Sequence, residues 1–172
     1  MARVPFTIAA GTSSTIRITL NATGRQLLSR FYRLPAQLTV TGTAGLTAPV
    51  TFSLRRIRAT VAYNYLLSAG YTHLSALTLS NVPRAARVVL RCQGRGCPFA
   101  RRGVRRSGSR MALARLLAGR ALAPGATVEV SVTAPGKVGA VLILRMRDGA
   151  PRLRDRCLPP GARRPQVCPA GG

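Results

Sequence analysis

Apolar and polar residues alternate with a period of two along most of this chain, the pattern of strands with one buried face. TIRITL (15–20) sets Ile16, Ile18 and Leu20 on one side, and FTIA (6–9) is a shorter stretch of the same kind. LTVT (38–41) and VTFSL (50–54) repeat the pattern, with GTAG (42–45) between them as a hairpin loop. Further on, one inward face is predicted from Val61, Tyr63 and Tyr65, another from Leu74, Leu77 and Leu79 within residues 71–80, and another from Val88, Leu90 and Cys92. Val128, Val130 and Val132 follow. Residues 138–147 are apolar on both sides, which predicts the last and longest strand, covered on both faces. Turns are read at Gly11–Ser14, Asn81–Pro83 and Pro124–Gly125. Two segments change period and predict short helices, one around Gln26–Ser29 and one over Met111–Leu117. Beyond Gly149 the chain is rich in Pro and Arg and is expected to be irregular.

Short strands parted by closely spaced turns predict an all-β fold. The expected form is Ig-like β-sandwich units of mainly antiparallel strands, with an irregular disulfide-bonded C-terminal tail. TIRITLNATG (15–24) aligns without gaps on TVEVSVTAPG (127–136), which predicts two related units. RRIR (55–58) marks the boundary. The expected division is a partial Ig-like unit at 1–57, a β-sandwich at 58–150 and the tail at 151–172. The first unit has about four strands, enough for one sheet. It is expected to be the back half of a sandwich, or to pack on the second unit.

Composition adds a strong charge and an oxidising environment. Lys and Arg number 27 against 3 Asp and Glu, a net charge of +24, and Lys137 is the single lysine. Near-pure arginine beside abundant Ala, Gly and Pro also fits a GC-rich coding bias, so the count alone does not separate a selected basic surface from a compositional one. Four cysteines, Cys92, Cys97, Cys157 and Cys168, lie in the second half. Zinc ligands usually stand about two to four residues apart within a pair, and the ten between Cys157 and Cys168 lie well outside that range. Two disulfides are expected. Proximity pairs Cys92 with Cys97 and Cys157 with Cys168; cross-pairing of loop and tail is the alternative. Residues 1–20 contain no continuous apolar core of an export signal, and no stretch approaches a membrane span. Disulfides without an export signal predict that the chain is the C-terminal portion of a longer secreted protein, or that its start is misassigned.

CQGRGCPF (92–99), LAPG (122–125), VSVTAPG (130–136), Val138-Gly139 and RCLPPG (156–161) together resemble a C-terminal module of secreted actinobacterial proteins, over roughly residues 58–170. GTSS (11–14) and GRQLL (24–28) resemble the closing strands of Ig-like repeats in similar proteins. The resemblance implies an extracellular, noncatalytic β-sandwich and carries over no active site.

Candidate chemistry is sparse. The acids are Glu129, Asp148 and Asp155, and the single histidine is His73. Glu129 is expected to face solvent, Asp148 to sit in a turn, Asp155 to pair with a flanking arginine, and His73 to be structural. No catalytic group, metal or cofactor is implied. Gly94 and Gly96 are read as the residues that let a small disulfide ring turn, and the NAT sequon at Asn21 as accidental. The candidate anion-binding residues are Arg95, Arg101, Arg102, Arg105, Arg106 and Arg110. The expected role is a structural or adhesive module of a secreted or cell-surface bacterial protein, with cell-surface or wall polymers as candidate partners. The alternative is an electrostatic binder of acidic polymer, meaning nucleic acid, wall polymer or anionic lipid. Nonspecific polyanion binding at low salt is expected either way. The expected outcome is the one a compositional charge gives, a gradual loss of binding as any arginines are replaced.

Overall fold

The computed structural model describes residues 4–41 and 45–168. The fold is all-β, and the chain divides into two compact units, Met1–Leu54 and Arg55–Gly172.

The first unit holds a helix, α1 (Ala22–Phe31), and two antiparallel strands, β1 (Arg33–Val40) and β2 (Leu46–Ser53), with Val40 opposite Leu46. Asn21 caps α1 by accepting a hydrogen bond from the Gly24 amide at 2.8 Å. Tyr32 ends it in a left-handed conformation (φ 59°), donating its amide to Leu28 O at 2.8 Å. Residues 42–44 of the hairpin loop expected between the strands lie outside the described residues.

Several expectations are corrected here. Residues 6–9 and 15–20 form no strand, and Ile18 is 38% exposed. The alternation of TIRITL has no partner strand, and a strand is stabilised by its cross-strand neighbours rather than by its pattern. The echo with residues 127–136 therefore does not extend to structure. Tyr32 is the single buried residue among the described residues of this unit. Its two strands make one small sheet rather than half of a sandwich.

The second unit is built from two sheets over one aliphatic core. Its strands are β3 (Arg55–Arg56), β4 (Thr60–Ser68), β5 (Tyr71–Ser80), β6 (Arg87–Gln93), β7 (Arg101–Val104), β8 (Met111–Ala112), β9 (Thr127–Thr133), β10 (Lys137–Arg145) and β11 (Arg152–Leu158). The larger sheet runs β11-β10-β9-β6-β7, antiparallel throughout, with β3 added parallel to β10. The smaller runs β4-β5-β8. Leu77 and Leu79 from one sheet meet Leu90, Val128, Val130, Leu142 and Leu144 from the other, all at most 3% exposed. Each such side chain contributes about 1.5–3 kcal/mol of burial. Tyr63 Oη adds a tie by donating to the Pro151 carbonyl at 3.1 Å.

Three elements depart from expectation. Met111–Leu117 is a two-residue strand followed by a 3-10 turn, Ala114–Leu116, not a helix. The Leu113 amide bonds Leu77 O at 2.7 Å, so Met111 and Leu113 enter the core with the strand period. The tail is regular over β11, where Leu153 and Cys157 alternate with Arg152, Arg154 and Arg156 and pair along β10. β10 is thus neither the last strand nor, at nine residues against ten in β5, the longest; it is buried on both faces as expected. The basic run at Arg101 and Arg102 also begins a strand, β7.

Candidate polyanion-binding face

The register of the larger sheet decides which arginines meet. Residues directly opposite each other in an antiparallel pair project from the same face. Leu90 opposite Val130 and Val130 opposite Leu142 define the core side. The other side carries Arg101 from β7, Arg87 and Arg91 from β6, Arg145 from β10, and Arg152, Arg154 and Arg156 from β11. Sequence distance hides this set, since β6 ends at Gln93 and β11 begins only at Arg152. Its signal was the spacing Arg152, Arg154, Arg156 and the pair Arg87, Arg91, which strand alternation places on one face.

Like charges stand directly opposite twice, Arg91 with Arg101 and Arg145 with Arg152. Such pairs destabilise a sheet by a few tenths of a kcal/mol to about 1 kcal/mol. Glu129 offsets part of this. It lies opposite Arg91, its Oε1 is 3.9 Å from Arg91 Nη1, and it accepts a hydrogen bond from Ser131 Oγ at 3.0 Å. Glu129 does face away from Val128 and Val130, but it is half-buried rather than open to solvent (22% of its side chain). Among the described residues this is the one ion pair.

Part of the tail flanks this face. A groove of about 160 Å³ is lined by Arg87, Arg91, Arg101, Glu129 and Ser131 from the sheet and by Arg163 from the tail. The Cys157–Cys168 disulfide and the paired backbone bonds of Cys157 with Gln166, both 2.9 Å, anchor the tail against β11. The side chains of Arg87, Arg101 and Arg163 make no hydrogen bond or ion pair with any described residue.

The arginines singled out in the sequence do not form one cluster. Arg101 joins the outer face, and Arg102 points to the opposite side of β7, across from Leu90. Arg106 is half-buried, its Nε and Nη2 donating to Val82 O at 3.4 Å each. Arg105 is exposed just after β7, and Arg110 is exposed within the bend at 108–110. Arg95 is exposed in the ring closed by Cys92–Cys97 (Cα–Cα 5.5 Å), where its carbonyl accepts from the Ala123 amide at 3.1 Å. Both disulfides pair neighbours in sequence. Gly94 and Gly96 have φ of 108° and 92°. They also lie against the 121–126 segment: a Cβ on Gly94 would stand 2.8 Å from Ala126 Cα, and one on Gly96 would run into the Ala121 carbonyl.

The remaining titratable groups stay apart. Asp155 forms no ion pair with Arg154 or Arg156, because neighbours on a strand point to opposite faces; Arg156 Nη1 donates instead to its backbone carbonyl at 3.3 Å. Asp148 lies exposed in the bend after β10, and His73 is half-buried on the outer face of β5, opposite Leu66. Among the described residues no three of His, Cys, Asp and Glu gather to hold a metal. No family model, curated protein or solved structure matches the chain.

Proposed function

We propose that this chain is a noncatalytic adhesive module of a secreted or cell-surface protein, and that it holds acidic surface polymer on the outer face of its larger sheet. The carrying observation is the register that collects Arg87, Arg91, Arg101, Arg145, Arg152, Arg154 and Arg156 on one face with one carboxylate among them. Arginine recognises phosphate and sulfate oxygens in a bidentate manner. The two disulfides support an oxidising, extracellular setting. No helix among the described residues is long and apolar enough to cross a membrane.

Salt tests this reading. Binding to a linear polyanion releases counterions, and each contact on a single strand contributes about 0.7 to the slope of log affinity against log salt. Replacing Arg87, Arg91 and Arg101 together by Gln is expected to lower that slope by about 2. Replacing Arg84, Arg115 and Arg120, which lie off this face, is expected to leave it nearly unchanged. Equal losses from both sets would sink the reading and restore a compositional origin of the charge.

A further inference from the structure

We infer that the groove between the sheet and the tail is a discrete binding site for the phosphodiester backbone of a linear polyol-phosphate polymer; this rests on the adhesive reading above and narrows it. Unpartnered guanidinium groups line the groove from two directions, Arg87 and Arg101 from the sheet and Arg163 from the tail. Arg91 and Arg101 stand opposite each other on adjacent strands, a spacing that suits two nitrogen forks on one phosphate. Arg87 lies four residues along β6, about 13 Å away, which places a second anion contact one or two small repeats further along a polymer. Glu129 Oε1 stands 3.9 Å from Arg91 Nη1, and Ser131 Oγ donates to that carboxylate, so the Arg91 guanidinium has an acidic neighbour on one side.

Size and chemistry favour polyol phosphate over other polyanions. About 160 Å³ is well below the roughly 300–1,000 Å³ of a drug-sized ligand pocket, and suits a phosphate with a few carbons rather than a sugar ring with its sulfate. The groove is lined by no Tyr or Phe, so it offers no base-stacking platform, which single-stranded nucleic acid binders use. The tail is held across the face by Cys157–Cys168, so the contribution of Arg163 depends on that bond.

The test is calorimetric titration of the full chain with a short synthetic poly(glycerol phosphate), near physiological ionic strength. Comparators are oligodeoxythymidylate and a sulfated oligosaccharide of equal charge. Poly(glycerol phosphate) is expected to bind most tightly. Arg101→Ala and Arg163→Ala should each weaken it about tenfold, as loss of one charge-assisted contact does. Arg154→Ala, outside the groove, should weaken it by about twofold through the general field. The double replacement Cys157→Ala/Cys168→Ala should match Arg163→Ala; because Cys157 is buried, Arg163→Ala on the exposed tail is the deciding variant if the double one misfolds. Equal effects of Arg154→Ala and Arg163→Ala would overturn the groove and leave the adhesive face standing. Tighter binding of either comparator would overturn the ligand class. Absence of wild-type binding to all three probes would remove the adhesive reading itself.

Discussion

β6 and β5 occupy similar places in their sheets: each pairs with two neighbours and turns alternate side chains into the same core. β6 turns Arg87 and Arg91 outward. β5 turns out His73, Ala76, Thr78 and Ser80, flanked by Thr60, Ala62, Asn64 and Leu66 of β4 and Ala112 of β8. No arginine projects from that second face. A coding bias acts on every codon alike and cannot sort arginine by sheet. The need for solvation cannot sort it either, because the β4-β5-β8 face stands with Thr60, Asn64, Thr78 and Ser80 beside alanines and Leu66 and without arginine. The arginines on the larger sheet also stand opposite one another, where repulsion costs stability. The difference between the two faces supports the proposed polyanion-binding surface.

Charge reversal breaks this difference most sharply. Changing Arg87, Arg91 and Arg101 to Glu removes three charge-assisted contacts, each about 1.5–3 kcal/mol, and is expected to weaken polyanion binding by about a thousandfold or more. Equilibrium titration checks it. Placing three arginines at Thr60, Ala62 and Asn64 in the variant with Gln at the same three positions, which returns the net charge to that of the native chain, should not restore binding if geometry matters as well as net charge; full restoration would reduce the account to net charge.

The second perturbation separates the glycines that join the sheets from one on the exposed face. Gly96 packs on Ala121 and Leu122, and Leu122 exchanges two 2.9 Å backbone bonds with Thr72 of β5. The ring at the end of β6 therefore braces the smaller sheet. Gly96→Ala combines a positive φ with a backbone overlap and is expected to cost about 3 kcal/mol or more. Gly103→Ala on β7 meets open space and should change stability by less than about 0.5 kcal/mol. Denaturant unfolding measures both; similar midpoints for the two variants would show that the ring does not brace the sheets.

Much of this architecture is legible in the chain, and the failures have physical causes. The strands of the second unit follow from alternation because each buries a period-two face: Leu77 and Leu79, Leu90 and Cys92, and Val128 to Val132 lie in the core. The disulfides follow from proximity. Residues 15–20 carry an equally clear pattern and form no strand, since periodicity reports a capacity to pair and not the presence of a partner. β11 was hidden because its outward residues are arginines beside prolines, which read as an irregular basic tail. The proposed binding face was missed for a related reason. A run such as Arg101, Arg102, Arg105 and Arg106 is conspicuous in sequence, yet strand alternation and turns disperse it, while register assembles Arg101 with Arg87 and Arg91 from another strand. Register is a long-range property that local composition does not encode.

The most direct measurement is an arginine footprint. Phenylglyoxal modification of the folded chain, with and without poly(glycerol phosphate), can be read residue by residue by mass spectrometry. Arg87, Arg91, Arg101 and Arg163 are expected to be protected by the polymer, with weaker protection at Arg145, Arg152 and Arg154 and none at Arg115 and Arg120. Uniform protection of all exposed arginines, or protection centred on Arg105 and Arg110, would contradict the assignment of the outer face of the larger sheet as the binding surface.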